Sequence, residues 1–281
     1  MLLKGKPISE QNLKICLDLI EKGSLNPNLS IILVGDDPAS EYYANSVQKQ
    51  SHKYKITTSI IKKQTITEDE LIKQIKMLNN DSNVHGIMIQ KPLPKNIDPT
   101  KIEESINPQK DVDGLHSLNL GLLMKEQDCF LPCTAQAILE IINYYDIIVE
   151  GKHVVVVGRS NVVGKPIANL LLYKAKNRNA TVTICHSRTP DLRKFTLQAD
   201  ILITAVGIPK LIKGDMIKND VIIIDAGINE IEADNGERKY VGDVDFEQCV
   251  DKCLAITPVP GGVGSVTTSV LLKHVCQVKK K

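Results

Sequence analysis

The chain has 281 residues, room for about two domains at roughly 150 residues each. Its 42% hydrophobic and 24% charged residues exclude wholesale disorder, and 35 Lys+Arg against 33 Asp+Glu, a net charge of +2, are too even for a nucleic-acid binder held mainly by charge. No apolar run nears the ~20 residues of a membrane span, residues 1–7 have no signal-peptide stretch, and seven cysteines contain no C-x-x-C pair, so a reduced, cytoplasmic protein is expected.

Leu13, Leu17 and Ile20 make a helical stripe over 9–23, closed by Gly23. S-I-I-L-V at 30–34 reads as a buried strand. Asp36-Asp37-Pro38 then opens a helix, with proline in the first turn, where its missing N–H costs nothing. Residues 56–61 are the next strand, and Thr67-Glu68-Asp69-Glu70 is a capping box for a helix through Met77. V-H-G-I-M-I-Q at 84–90 is a third strand, ended by K-P-L-P. Strands spaced by helices predict a mainly parallel α/β sheet.

Residues 106–132 are less regular, and a helix is expected at 134–145. The domain junction is placed there: 1–132 as the first domain, completed by 265–281, and 133–264 as the second. That second stretch has strands at 153–157, 181–185, 201–206 and 221–225, a helix at 165–175, and short helical pieces between. This is the pattern of a doubly wound, Rossmann-like sheet. A last apolar helix spans 265–275, and the tail Lys279-Lys280-Lys281 is expected to fray.

After the strand at 153–157 comes Gly158-Arg159-Ser160-Asn161-Val162-Val163-Gly164-Lys165-Pro166. Such a turn lets backbone N–H groups and a helix N-terminus face a pyrophosphate. Ser160 stands where the usual dinucleotide motif has its middle glycine, and a plain strand-to-helix turn fits the motif alone equally well. The following strand ends Cys185-His186-Ser187-Arg188-Thr189, without the acid that takes the ribose 2′-OH of NAD. Ser187 and Arg188, with Arg159, can instead surround a 2′-phosphate, which predicts NADP over NAD. The bland alternative for Arg188 is a solvated loop charge.

Several longer motifs occur in order: P-A-S-E-Y-Y at 38–43, G-I-M-I-Q-K-P-L-P at 86–94, K-D-V-D-G at 110–114, P-C-T at 132–134, V-V-G-R-S-N-V-V-G-K-P at 156–166, V-G-D-V at 241–244 and I-T-P-V-P-G-G-V-G at 256–264. Through these the whole chain resembles the methylenetetrahydrofolate dehydrogenase/cyclohydrolase family. The resemblance implies NADP-linked oxidation of 5,10-methylenetetrahydrofolate to the methenyl cation, then hydrolysis to 10-formyltetrahydrofolate. It also implies a homodimer, a folate cleft between the two domains, and a final helix returning to the first domain.

The resemblance assigns roles to particular residues. Tyr43 stacks on the aminobenzoyl ring of the folate, Gln90 hydrogen-bonds the reacting end, and Asp113 pairs with donors of the pterin ring. Ser40 lies near the folate or serves as a helix-start hydroxyl, and Asp111 braces the turn. Pro260, Gly261 and Gly262 offer close backbone approach, and Ile228 contacts the nicotinamide end. One position departs from the pattern. The family's Tyr is followed four residues later by a catalytic Lys, and here that residue is Val47. Lys49, six residues from Tyr43, falls about 600° around a helix and points elsewhere. Hydride transfer needs positioning, but hydrolysis needs proton handling worth ~10²–10⁴-fold. The dehydrogenase is therefore expected to persist and the cyclohydrolase to be weak or absent, unless Lys91, standing where the family has Leu, rescues it in part.

The six histidines form no H-x-x-x-H pair, so no metal is expected, and Cys249 and Cys253 read as ordinary helix thiols. An amino-acid or shikimate-type dehydrogenase and a non-catalytic nucleotide-binding regulator are the competing readings. The first would need its own acid–base residues in place of Tyr43, Gln90 and Asp113, and the second a filled first-domain cleft.

Overall fold

A computed structural model describes residues 1–23, 25–232, 236 and 238–278. The tail Lys279-Lys280-Lys281, expected to fray, lies outside the described residues. Along the chain run α1 (Lys6–Gly23), β1 (Asn28–Val34), α2 (Pro38–Lys53), β2 (Thr57–Lys63), α3 (Glu68–Asn80), β3 (Gly86–Ile89), α4 (Pro99–Ser105), α5 (Ser117–Met124) and α6 (Cys133–Tyr144). Then follow β4 (His153–Val157), α7 (Gly164–Leu172), β5 (Thr181–Cys185), α8 (Leu192–Thr196), β6 (Ile201–Thr204), β7 (Ile222–Asp225), β8 (Asn229–Glu232), β9 (Arg238–Val241), α9 (Phe246–Cys249), β10 (Ala255–Ile256) and α10 (Val263–Gln277).

The chain divides into two compact units, each discontinuous in sequence. One comprises Gln11–Cys133 and Thr268–Lys281, the other Met1–Glu10 and Thr134–Thr267. In the first, β1 is the central strand of a parallel sheet ordered β2-β1-β3, with Ile31 beside Ile60 and Met88. Ile32, Leu71, Ile75, Ile87 and Ile102 are fully buried here. Burial of an aliphatic side chain is worth ~1.5–3 kcal/mol. Asp37 caps α2 by accepting from Ser40 N at 2.8 Å, and Thr67 and Glu70 complete the capping box of α3.

In the second unit five parallel strands take the order β10-β7-β6-β4-β5. Their Val/Ile runs suit a sheet covered on both faces: Val154–Val157, Leu202, Ile203, Ile223 and Ile224 are all buried. From β4 the chain moves to β5 on one side and to β6, β7 and β10 on the other, so the strand order reverses between β4 and β6. In open α/β sheets ligands bind outside the carboxyl ends of strands at such a switch point. Residues 1–3 belong to this unit as well. Leu2 bridges Ile256 in parallel, Leu3 N donates to Ile256 O at 2.9 Å, and the Leu3 side chain is wholly buried.

Candidate functional site

In the first unit, α2 carries Ser40, Ala44, Val47 and Ser51 on its buried stripe, with Tyr43 half-buried beside them. Tyr43 hydrogen-bonds Thr268 of α10 through its phenol, and burial pushes that phenol well above the ordinary tyrosine range. The Asp113 carboxylate lies within electrostatic reach of Tyr43. Asp113 is itself half-buried, and burial, reinforced by Asp111 and Glu103, pushes its carboxyl up to about 6 against the opposing pull of Lys91 and a hydrogen bond from Cys133. The D-V-D-G turn is braced by Asp111, which accepts from Gly114 N at 3.1 Å, His116 N at 2.8 Å and Asn119 Nδ2 at 2.9 Å.

Gln90 leaves the end of β3. Its Nε2 donates to Lys91 O at 3.3 Å, while its Oε1 is buried without a hydrogen-bond partner among the described residues. A buried, unmatched acceptor costs ~1–3 kcal/mol, which a substrate donor would recover. The Ser40 hydroxyl donates to Lys91 O at 2.9 Å, so it ties α2 to the segment after β3. Ser40, Tyr43, Gln90 and Asp113 thus belong to one neighbourhood. Val47 is wholly buried one turn beyond Tyr43, and Lys49 is exposed.

In the second unit the predicted residues gather at the carboxyl ends of adjacent strands: Gly158, Arg159 and Ser160 after β4, Ser187 and Arg188 after β5, Ile228 after β7, and Pro260, Gly261 and Gly262 after β10. The turn after β4 needs its glycines. Gly158 has φ +129°, and a Cβ there would sit 2.3 Å from Ala205 O. A Cβ on Gly164 would sit 2.1 Å from Gly158 O. The N-terminus of α7 has no side-chain cap, although Ser160 Oγ accepts from Val163 N at 3.1 Å within the loop. Arg159, Ser187 and Arg188 are exposed, and neither arginine is in an ion pair among the described residues. A cradle closed to any Cβ and two guanidiniums outside any ion pair among the described residues suit a phosphorylated dinucleotide.

Two carboxylates organise the neighbouring loops. Asp225 accepts from Thr204 Oγ1, Gly227 N and Val244 N at 2.9 Å each, and burial pushes it up to about 6. Asp243, also fully buried, accepts from Val206 N at 2.6 Å, Ile208 N at 3.0 Å and Asn229 Nδ2 at 3.0 Å. The V-G-D-V motif is thereby a loop staple, a role its spacing did not reveal. Among the described residues no group of His, Cys, Asp and Glu could hold a metal.

Two family models match in tandem. "Tetrahydrofolate dehydrogenase/cyclohydrolase, catalytic domain" covers residues 3–113, and "Tetrahydrofolate dehydrogenase/cyclohydrolase, NAD(P)-binding domain" covers residues 132–281. The chain belongs to this family. A curated relative, the bifunctional protein FolD of Chlamydia felis, is 44% identical over 285 residues, covering 100% of this chain and 99% of its own. The crystal structure of the bifunctional FolD enzyme of Campylobacter jejuni superposes with TM-score 0.92 at 41% identity, over 99% and 98% of the two chains. The Trypanosoma brucei enzyme, crystallised with NADP and an inhibitor, gives 0.91 at 33%, over 98% and 95%. The family's NAD(P)-binding part therefore includes the β4 turn and the paired strand ends described above.

Proposed function

We propose that this chain oxidises 5,10-methylenetetrahydrofolate to 5,10-methenyltetrahydrofolate with NADP as hydride acceptor, in one-carbon metabolism. The observation that carries the reading is the buried Oε1 of Gln90, without a hydrogen-bond partner among the described residues, in a segment whose next residue, Lys91, is held through its carbonyl by Ser40 of the Tyr43 helix and acts electrostatically on Asp113. Asp113 binds the pterin donors in bidentate fashion, and Tyr43, its phenol held by Thr268, presents a fixed ring to the aminobenzoyl group. Gln90 Oε1 accepts from the reacting end. Ser40 acts indirectly, by holding the Lys91 carbonyl.

Bound NADP supplies the hydride acceptor; the chain supplies binding and orientation. Arg159, Ser187 and Arg188 hold the 2′-phosphate, the uncapped start of α7 and the Gly158–Ser160 turn hold the pyrophosphate, and backbone at Ile228 holds the nicotinamide end. The family resemblance assigns Pro260, Gly261 and Gly262 to the substrate as well. In this reading residues 1–132 with 265–281 serve the folate and 133–264 the cofactor. We also place the enzyme in the cytoplasm as a homodimer. The support is the family resemblance, the absence among the described residues of any helix long and apolar enough to cross a membrane, and the open edge of β5, where Ile184 is 39% exposed.

The test is reduced-cofactor absorbance with methylenetetrahydrofolate and either NADP or NAD. NADPH formation, much faster than NADH formation, is expected; no reduced cofactor under any condition overturns the reading.

A further inference from the structure

We propose that Lys91 is the proton-transfer residue of a second, hydrolytic reaction at the same folate site, the opening of the methenyl cation to 10-formyltetrahydrofolate. The proposal rests on the folate reading above and names the residue that serves the family's second reaction in this chain. Three observations carry it. Val47 puts hydrocarbon, wholly buried, one helical turn from Tyr43, and Lys49 is exposed, so α2 presents no amine on the Tyr43 face. Lys91 directly follows Gln90, and its backbone carbonyl is gripped by both Ser40 Oγ and Gln90 Nε2. Its ammonium pairs with Glu103 of α4 and acts electrostatically on Asp113. Lys91 thus joins the neighbourhood of Tyr43, Asp113 and the unpartnered Gln90 acceptor from a different element than the one expected to supply an amine.

A bracing ion pair alone is a poor explanation for this placement. The side chains of Lys91 and Glu103 are 35% and 23% exposed, and partly desolvated pairs of this kind gain little net stability. A flexible ammonium beside carboxylates is, by contrast, suited to moving protons. In the reaction water oxygen adds to the bridging carbon and releases one proton to solvent. The C–N5 bond then breaks with its electron pair staying on N5, which takes a proton from the Lys91 ammonium, and the lysine is re-protonated from solvent. The hydroxyl proton leaves as the formyl C=O forms, so one water is consumed and one proton released.

The test is the decay of methenyltetrahydrofolate followed by absorbance with wild-type enzyme, Lys91→Met and Lys91→Arg. Wild type is expected to accelerate decay, and both variants to lose ~10²-fold or more of that acceleration, a larger loss than in the oxidation of methylenetetrahydrofolate. Arginine keeps the charge and the pair with Glu103 but does not release a proton, so a merely bracing role would be rescued by it. Restoration of decay by Val47→Lys in the Lys91→Met background would further support proton transfer. Wild-type decay no faster than buffer, or full activity in Lys91→Arg, overturns the proposal. Lys91-dependent decay without any NADPH formation would overturn the dehydrogenase reading and leave this one standing.

Discussion

In the proposed folate site Asp113 would couple pH to substrate binding. With its carboxyl pushed up to about 6, it is ionised at neutral pH, the form that would accept the pterin donors. As pH falls through 6 it takes up a proton and loses that capacity. The folate KM is therefore expected to rise on acidification, about tenfold for each unit below 6, one pKa unit being worth about 1.4 kcal/mol. Asp113→Asn should raise KM at neutral pH by about 10- to 150-fold, the range for losing hydrogen bonds to a charged group, and should flatten that acid limb. Steady-state kinetics across pH check both. Tyr43, Gln90 and Asp113 are named from sequence because P-A-S-E-Y-Y, G-I-M-I-Q-K-P-L-P and K-D-V-D-G mark the resemblance, even though Val47 breaks the Tyr43 pattern. The partners of Lys91 are not, because Glu103 and Asp113 reach it from α4 and a turn more than ten residues away.

At the scale of elements, the carboxyl ends of β4 and β5 lie side by side, Val157 in register with Cys185, which brings Arg159 and Arg188 to neighbouring turns. Replacing Arg188 by Ala should raise the KM for NADP at least about tenfold and leave that for NAD nearly unchanged, since charge-assisted bonds to a phosphate are worth ~1.5–3 kcal/mol. Parallel kinetics with the two cofactors check this. The Val/Ile strands and the capping box of α3 can be read from sequence because they obey local rules. α5 escaped notice because S-L-N-L-G-L-L-M has a central glycine and no polar face, and its cap is His116, whose Nδ1 accepts from Leu118 N at 2.9 Å. α4 is not among the expected helices, although Asp98-Pro99 repeats the Asp37-Pro38 start of α2. The β8–β9 hairpin is mostly polar and gives no buried alternation.

At the scale of the molecule, the first residues complete a sheet more than 250 positions later. Leu3 is wholly buried and its N–H bonds Ile256 O. Leu3→Ala is expected to cost ~2–5 kcal/mol, seen as a lower melting temperature, with NADP protecting against unfolding less well. Such a long-range contact leaves no periodic trace in the sequence. For assembly, sedimentation should give twice the chain mass; a single-chain mass would remove the homodimer from the reading.

Because the polypeptide passes from one unit to the other after Glu10, Cys133 and Thr267, neither half is finished when only the early part has been made. Thr268, the partner of the Tyr43 phenol, is made more than 200 residues after Tyr43 itself. The ring is thus laid down well before the helix that fixes it, so a nascent chain stalled before α10 would carry the proposed folate residues without that support.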